Sequence, residues 1–381
     1  MTPLRLAILI IILFVCGYAG AQSLPVPAPA PPQLGAKGYV LTDFHSGRVL
    51  VSHESEVRRD PASITKVMTA FVVFNELRSG DLAMDDLILV SEKAWRATGS
   101  RMFIEVGNRI PAEDLIRGMI IQSGNDASIA LAEHIAGSEA NFAALMNRYA
   151  AELGMTDTHY TNATGLPGDD HYSSAADTAT LVRALISQFP EYYRFYSERE
   201  FTWNDITQRN RNRMLWQDQS VDGVKTGYTR AAQYCLATSA ERDGMRLVSV
   251  VMGAETPGKR VEQSKSLLNY GYRFFETHRL YGANEAVDTP RVWKGTADTL
   301  PVGIDEDMYI TLPADTYDQL DARITLNDPL EAPVAKGDSV GSLTVSLDGE
   351  VVREQSVIAL EAVPEAGFVG RTIDRVRLWI N

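Results

Sequence analysis

The sequence predicts an α/β (α+β) domain, an antiparallel sheet carrying a helical subdomain, followed by a small all-β sandwich and a C-terminal amphipathic helix. Three observations predict it. Strand-like runs at residues 39–52 and 223–252 bracket a mostly helical block, which suits one sheet closed by both ends of a domain. After His278 the chain turns to short apolar runs split by Pro and Gly and rich in Asp and Glu. In the final stretch Val369, Ile373, Val376 and Ile380 recur at helical spacing.

With 381 residues the chain has room for two or three domains and a sizeable core. A net charge of -13 argues against a general nucleic-acid binder, which needs a basic surface to displace phosphate counterions. Arg5, the apolar run Leu6 to Val15 and the small residues Ala19-Gly20-Ala21 read as a cleavable export signal over 1–21. The run is too short to favour a permanent span. A lipoprotein reading through Cys16 is disfavoured by the bulk of Phe14 and Val15. Cleavage after Ala21 leaves one cysteine, Cys235, so stability rests on the core rather than on a disulfide.

Residues 22–34 form a Pro/Ala tether, expected to lack a core of its own. Tyr39–Phe44 and Arg48–Ser52, joined by a Ser46-Gly47 turn, predict a β-hairpin. A long apolar helix follows to Leu77. Pro111, with Glu113 and Asp114 behind it, predicts a helix start running to Ile121. After the Ser123-Gly124-Asn125 break, Asp126 is expected to cap a helix to Ala136, and residues 140–153 form another, ended by Gly154. Thr161–Asp170 reads as a loop, and Ser174-Ala175-Ala176-Asp177 as a capping box opening a helix to Gln188. Strands are expected at Gly223–Gly227, Gln233–Ala240 and Met245–Met252, the last two joined by an Asp243-Gly244 turn. A helix from Lys259 to Phe275 closes the block.

Chemistry concentrates in Asp60-Pro61-Ala62-Ser63-Ile64-Thr65-Lys66. Residues three apart share a helix face, so the Ser63 hydroxyl and the Lys66 amine sit side by side. A serine needs an adjacent base to become a nucleophile, and lysine is one when burial or neighbouring charge lowers its pKa. The plainer alternative is a helix start with Ser63 as a cap and Lys66 in solvent. Two further patterns, Ser123-x-Asn125 and Lys225-Thr226-Gly227, follow in the order shared by penicillin-binding proteins and class A β-lactamases.

With these motifs, and with Gln122–Ala127, Val221–Thr229 and Tyr270–Thr277 around and beyond them, the sequence resembles the low-molecular-mass penicillin-binding proteins that act as D-alanyl-D-alanine carboxypeptidases. The resemblance spans nearly the whole chain. It implies a serine β-lactamase/transpeptidase-like domain at 35–277, a β-sandwich at 279–364 and a membrane-surface helix at 366–381. It also implies that Ser63 attacks, Lys66 is the base, Ser123 relays a proton, and Asn125, Lys225, Thr226 and Gly227 bind substrate. The oxyanion hole falls to the Ser63 and Tyr228 backbone, and Arg260 and Arg211 address the terminal carboxylate. For Arg260 and Arg211 the alternative is an ordinary exposed arginine. Thr164 and Tyr228 stand where the family commonly carries histidine. The implied ligands are peptidoglycan stem peptides ending in D-Ala-D-Ala and β-lactam antibiotics, with a role in wall maturation and cell shape at the periplasmic face of the inner membrane. No metal-ligand spacing occurs among the six histidines, and no cofactor is expected.

Three other functions share parts of this pattern. A serine β-lactamase lacks a convincing deacylating glutamate here, a D,D-endopeptidase is argued against by Arg260, and an inactive scaffold has no need of five intact catalytic-type residues. The terminal helix has its own alternative, packing on the β domain instead of lying in a membrane surface.

Overall fold

The computed structural model describes residues 28–380. The expected leader with Cys16, the start of the Pro/Ala segment and Asn381 lie outside the described residues.

A five-stranded antiparallel sheet runs in the order Val49–His53, Gly38–Asp43, Met245–Ala254, Gln233–Arg242, Val221–Thr229. The N-terminal hairpin pairs with the late strand through Val40 opposite Val250 and Leu41 opposite Ser249, so both ends of the domain share one sheet. The side-chain period of two sorts residues between faces. Val40, Cys235, Val248 and Val250 face the helical core, whereas Leu41, Leu236, Leu247 and Val251 meet Leu267 and Leu268 of the helix Pro257–Phe274. Asp243 and Gly244 both have positive φ, as a two-residue hairpin turn between right-twisted strands requires.

Lys66–Ser79 is the central helix, apolar nearly all round and buried among Asn125–Ala136, Glu139–Glu152 and Ala175–Gln188. Ser174 caps the last of these by accepting from the Asp177 N–H. Three sequence expectations change. Asp126 lies inside the first turn of its helix, where its carboxylate accepts from the N–H groups of Met102, Phe103 and Ile104, so it clamps a loop instead of capping. The Pro257–Phe274 helix starts two residues before Lys259, because Thr256 caps it and Pro257 suits the first position. The tether is partly docked: Ala28 and Leu34 pack on the core between the sheet and the Pro257–Phe274 helix, and the Tyr270 hydroxyl donates to the Pro29 carbonyl at 2.8 Å.

Phe275–Tyr281 leaves that helix directly and pairs with Met308–Pro313, beginning the second unit within the stretch read as the end of the first. This pair and a five-stranded sheet enclose Val302, Ile304, Leu312, Leu343, Val345 and Val357. Asp43 joins the two units. Fully buried, it accepts from the Ser46 N–H at 2.7 Å, the Ser46 hydroxyl at 2.8 Å and the Thr277 hydroxyl at 2.7 Å. Removing a buried acceptor strands its donors. Asp43→Ala should therefore lower stability by about 2–4 kcal/mol, read as the shift of the urea unfolding curve.

The terminal helix Phe368–Ile380 packs on the β unit, the alternative placement weighed for it. Its polar side docks on the β unit, Asp374 accepting from the Lys294 N–H at 2.8 Å and Arg371 pairing with Glu365 at 2.8 Å. Phe368, Val369, Ile373, Val376 and Trp379 remain exposed. Among the described residues no helix is long and apolar enough to cross a membrane.

Candidate active site

Ser63 lies in a single 3-10 turn, Ala62–Thr65, and the α-helix proper starts at Lys66. Residues i and i+3 eclipse in a 3-10 turn, which brings Lys66 Nζ to 3.3 Å from Ser63 Oγ. No side-chain cap bond forms at this turn, so Ser63 is not spent as a cap. The turn is wedged between neighbours that tolerate no bulk. A Cβ on Gly165 would lie 1.8 Å from the Ala62 carbonyl oxygen, and one on Gly227 would lie 2.9 Å from that of Pro61 and 3.2 Å from the Ser63 nitrogen. Glycine is required at Gly165 by its φ of +79° as well.

Lys66 is 1% exposed, with its amine against two carbonyl oxygens: Asn125 Oδ1 at 2.7 Å and the Thr164 main-chain oxygen at 2.6 Å. Burial pushes its pKa down to about 7, against partial opposition from Asp126 and Glu139. That is a bias of about 5 kcal/mol toward the neutral amine relative to water. A neutral amine has two N–H bonds. In that neutral form, donation of both to these carbonyls leaves the lone pair for the Ser63 hydroxyl, 3.3 Å away. Asn125 is itself held, its Nδ2 donating to the Thr98 carbonyl at 2.6 Å.

Ser123 has a positive φ of 66° and a buried hydroxyl with no partner. Strain and an unmade hydrogen bond each cost free energy, and such costs gather at functional sites. Lys225, Thr226 and Gly227 lie on the edge strand Val221–Thr229, all three buried. Burial first, then Lys66, Arg211 and Arg260, hold the Lys225 pKa well below normal. Lys66 owes its own lowered pKa to burial and not to the charge of Lys225.

Ser63, Ser123, Thr226, Gly227, Tyr228, Arg211 and Arg260 all line one cleft of about 780 Å³. Tyr228 is exposed and stacks on Tyr234 with ring centroids 4.4 Å apart. Arg260 Nη1 donates to the Gly227 and Cys235 carbonyls at 3.1 and 3.3 Å, bracing the two strands, while its Nε has no partner. Arg211 is exposed and donates from Nε to the Gln122 carbonyl at 3.2 Å.

A family model described as D-alanyl-D-alanine carboxypeptidase matches residues 26–256, and one described as penicillin-binding protein 5, C-terminal domain, matches 275–365. The chain belongs to the D-alanyl-D-alanine carboxypeptidase family. It is 40% identical over 373 residues to D-alanyl-D-alanine carboxypeptidase DacA of Escherichia coli (strain K12), covering 96% of this chain and 92% of that one. To DacC of the same strain it is 42% identical over 370 residues, covering 95% and 91%. The solved penicillin-binding protein 5 of Haemophilus influenzae superposes with a TM-score of 0.84 at 39% identity, covering 88% of this chain and 99% of that one.

Within this carboxypeptidase site the sequence does not expose every partner. Thr164 serves Lys66 through its main-chain carbonyl, a role indifferent to the side chain, so its departure from the family's histidine leaves the contact intact. His171, just past the Thr161–Asp170 loop, is buried, with its pKa lowered to about 4 chiefly by burial. Its Nδ1 accepts from the Thr161 N–H at 3.0 Å, so Nε2 carries the proton and donates to Thr65 Oγ1 at 2.9 Å. It thereby pins the 161–171 loop against the Ser63 turn. The signal for that loop was the Asn162–Gly165 turn, where Asn162 Oδ1 accepts from the N–H groups of Thr164 and Gly165. Gly165→Ala should displace this loop from the Ser63 turn and slow acylation by a fluorescent penicillin roughly 100-fold, measured as a labelling time course on the folded variant.

Proposed function

We propose that the protein is a serine-type D-alanyl-D-alanine carboxypeptidase that removes the terminal D-alanine from peptidoglycan stem pentapeptides. The observation that carries this is the buried Lys66 amine, its pKa lowered to about 7, 3.3 Å from the Ser63 hydroxyl at a cleft lined by cations fit for a free carboxylate.

Ser63 Oγ attacks the carbonyl carbon of the penultimate D-alanine while its proton passes to Lys66 Nζ. The Ser63 and Tyr228 N–H groups stabilise the oxyanion. Ser123, with a hydroxyl that both donates and accepts, carries a proton to the leaving amine, the C–N bond breaks, and D-alanine departs. Water, activated by the same lysine, then hydrolyses the Ser63 ester and restores both groups. Asn125 orients the peptide amide and Lys66. The terminal carboxylate is held by Lys225, Thr226 and Arg260, with Arg211 at the rim. An incoming anion favours the protonated form of Lys225 that burial otherwise disfavours. Gly227 lets the substrate strand approach the edge of the sheet. A β-lactam stops at the ester stage.

The residue roles, the units at 35–277 and 279–364, and export to the periplasm belong to this reading. So does attachment of 366–381 to the membrane surface. The exposed apolar residues of the terminal helix, with its polar side already engaged, support a helix lying in a lipid interface. The work on stem peptides gives the enzyme a place in wall maturation and cell shape.

Release of D-alanine from a pentapeptide ending in D-Ala-D-Ala is expected from the protein and absent from Ser63→Ala. Release by both would move the nucleophile elsewhere. Co-sedimentation with anionic lipid vesicles should fall at least about 10-fold in a Val369→Ser, Ile373→Ser, Val376→Ser variant, because each buried apolar side chain contributes roughly 1–2 kcal/mol.

A further inference from the structure

Arg209-Asn210-Arg211-Asn212-Arg213 alternates in burial as it alternates in type: the asparagines are buried and the arginines exposed. The asparagines hold the backbone. Asn210 Nδ2 donates to the Glu198 carbonyl at 2.9 Å, and its Oδ1 accepts from the Asn212 N–H at 2.9 Å. Asn212 Nδ2 donates to the Gly223 carbonyl at 2.9 Å, at the base of the strand that carries Lys225, and its Oδ1 accepts from the Met214 N–H at 3.1 Å. Through Arg211 the strap is also tied to Gln122, beside Ser123. Two buried side chains thus fix a backbone that presents three guanidinium groups, and all three line the cleft that contains Ser63.

The strap concentrates positive charge in one cleft of an acidic chain. The net charge is -13, and neighbouring Arg242 and Arg246 are paired with Asp218, Asp222 and Glu241. Among the described residues, Arg209, Arg211, Arg213 and Arg260 form no ion pair with any carboxylate. Like charges held together in this way repel, and Arg211 and Arg213 both disfavour the charge on Arg260. An anion in the cleft relieves that repulsion. One terminal carboxylate, met by Lys225, Thr226 and Arg260, leaves Arg209 and Arg213 without a counterpart.

Resting on the carboxypeptidase reading, we infer that Arg209 and Arg213 are specificity-determining residues that select peptides bearing a second free carboxylate over the same peptides amidated there. Guanidinium forks suit carboxylates, whose two oxygens accept parallel hydrogen bonds. A carboxamide offers one acceptor oxygen and no charge. The enzyme then reads the ionic state of the stem as well as its terminal D-Ala-D-Ala.

The probe is a pair of pentapeptides ending in D-Ala-D-Ala, identical except that the α-carboxyl of a γ-linked glutamyl residue is free in one and a carboxamide in the other. The wild-type chain should release D-alanine from the free acid with a kcat/KM about 5- to 10-fold higher, carried mainly by KM. In the Arg209→Gln, Arg213→Gln variant that ratio should fall to near one, with Ser63 acylation by a fluorescent penicillin reporting that the variant is folded. In the wild-type chain the ratio should also shrink as salt rises from low to high ionic strength. A wild-type ratio of one, a ratio that survives in the double variant, or one insensitive to salt would each overturn the inference. D-Alanine release from both peptides at equal rates refutes the inference alone, and release from neither refutes the carboxypeptidase reading with it.

Discussion

A neutral amine can donate to two carbonyls and still keep one lone pair, and the rest of the site depends on this property of Lys66. Buried at 1% exposure, the amine is met by Asn125 Oδ1, the Thr164 carbonyl and the Ser63 hydroxyl. An ammonium placed there would lose its hydration and gain only partial compensation from Asp126 and Glu139, which is why its pKa falls to about 7. Move either carbonyl and the lone pair loses its direction. Admit water and the pKa returns toward that of an ordinary lysine.

Three separated parts of the chain must therefore meet with small tolerance. The central helix supplies Ser63 and Lys66 from adjoining 3-10 and α segments. The break between Ala112–Ile121 and Asn125–Ala136 supplies Ser123 and Asn125, its strained φ kept by the packing of both helices. The edge strand supplies Lys225, Thr226 and Gly227, and its free side faces the Ser63 turn across a glycine that no larger residue could replace. The sheet holds this strand in place because its partner strands are closed from the far end of the domain. The His171 loop then seals the remaining side. Rigidity of this kind suits a catalyst that must hold donors ready where charge develops.

The secondary structure was largely legible because the strands alternate, the helices carry caps, and turns such as Asp243-Gly244 have their own chemistry. The three motifs were legible because each packs reactive side chains into four residues or fewer. Contacts made by main-chain atoms were not. Nothing in the side chain of Thr164 announces that its carbonyl binds Lys66, and nothing in the sequence around His171 announces that its two ring nitrogens bridge Thr161 and Thr65. Asp126 sits where a cap belongs, yet a tertiary contact claims its carboxylate. The arginine strap is not legible in a motif because its meaning lies in pairing: Arg211 matches a single motif position, while Arg209 and Arg213 stand out only by having no carboxylate partner among the described residues.

The account stands on Lys66 being neutral and basic near pH 7, and the direct test is the pH dependence of Ser63 acylation by a β-lactam that does not itself titrate in the range used. Because only the deprotonated amine accepts the Ser63 proton, the second-order rate should rise about tenfold per pH unit below about 7 and level off above it. A rate that keeps climbing until the pH range of an ordinary lysine would show that Lys66 holds its proton in the folded site, and would contradict the mechanism.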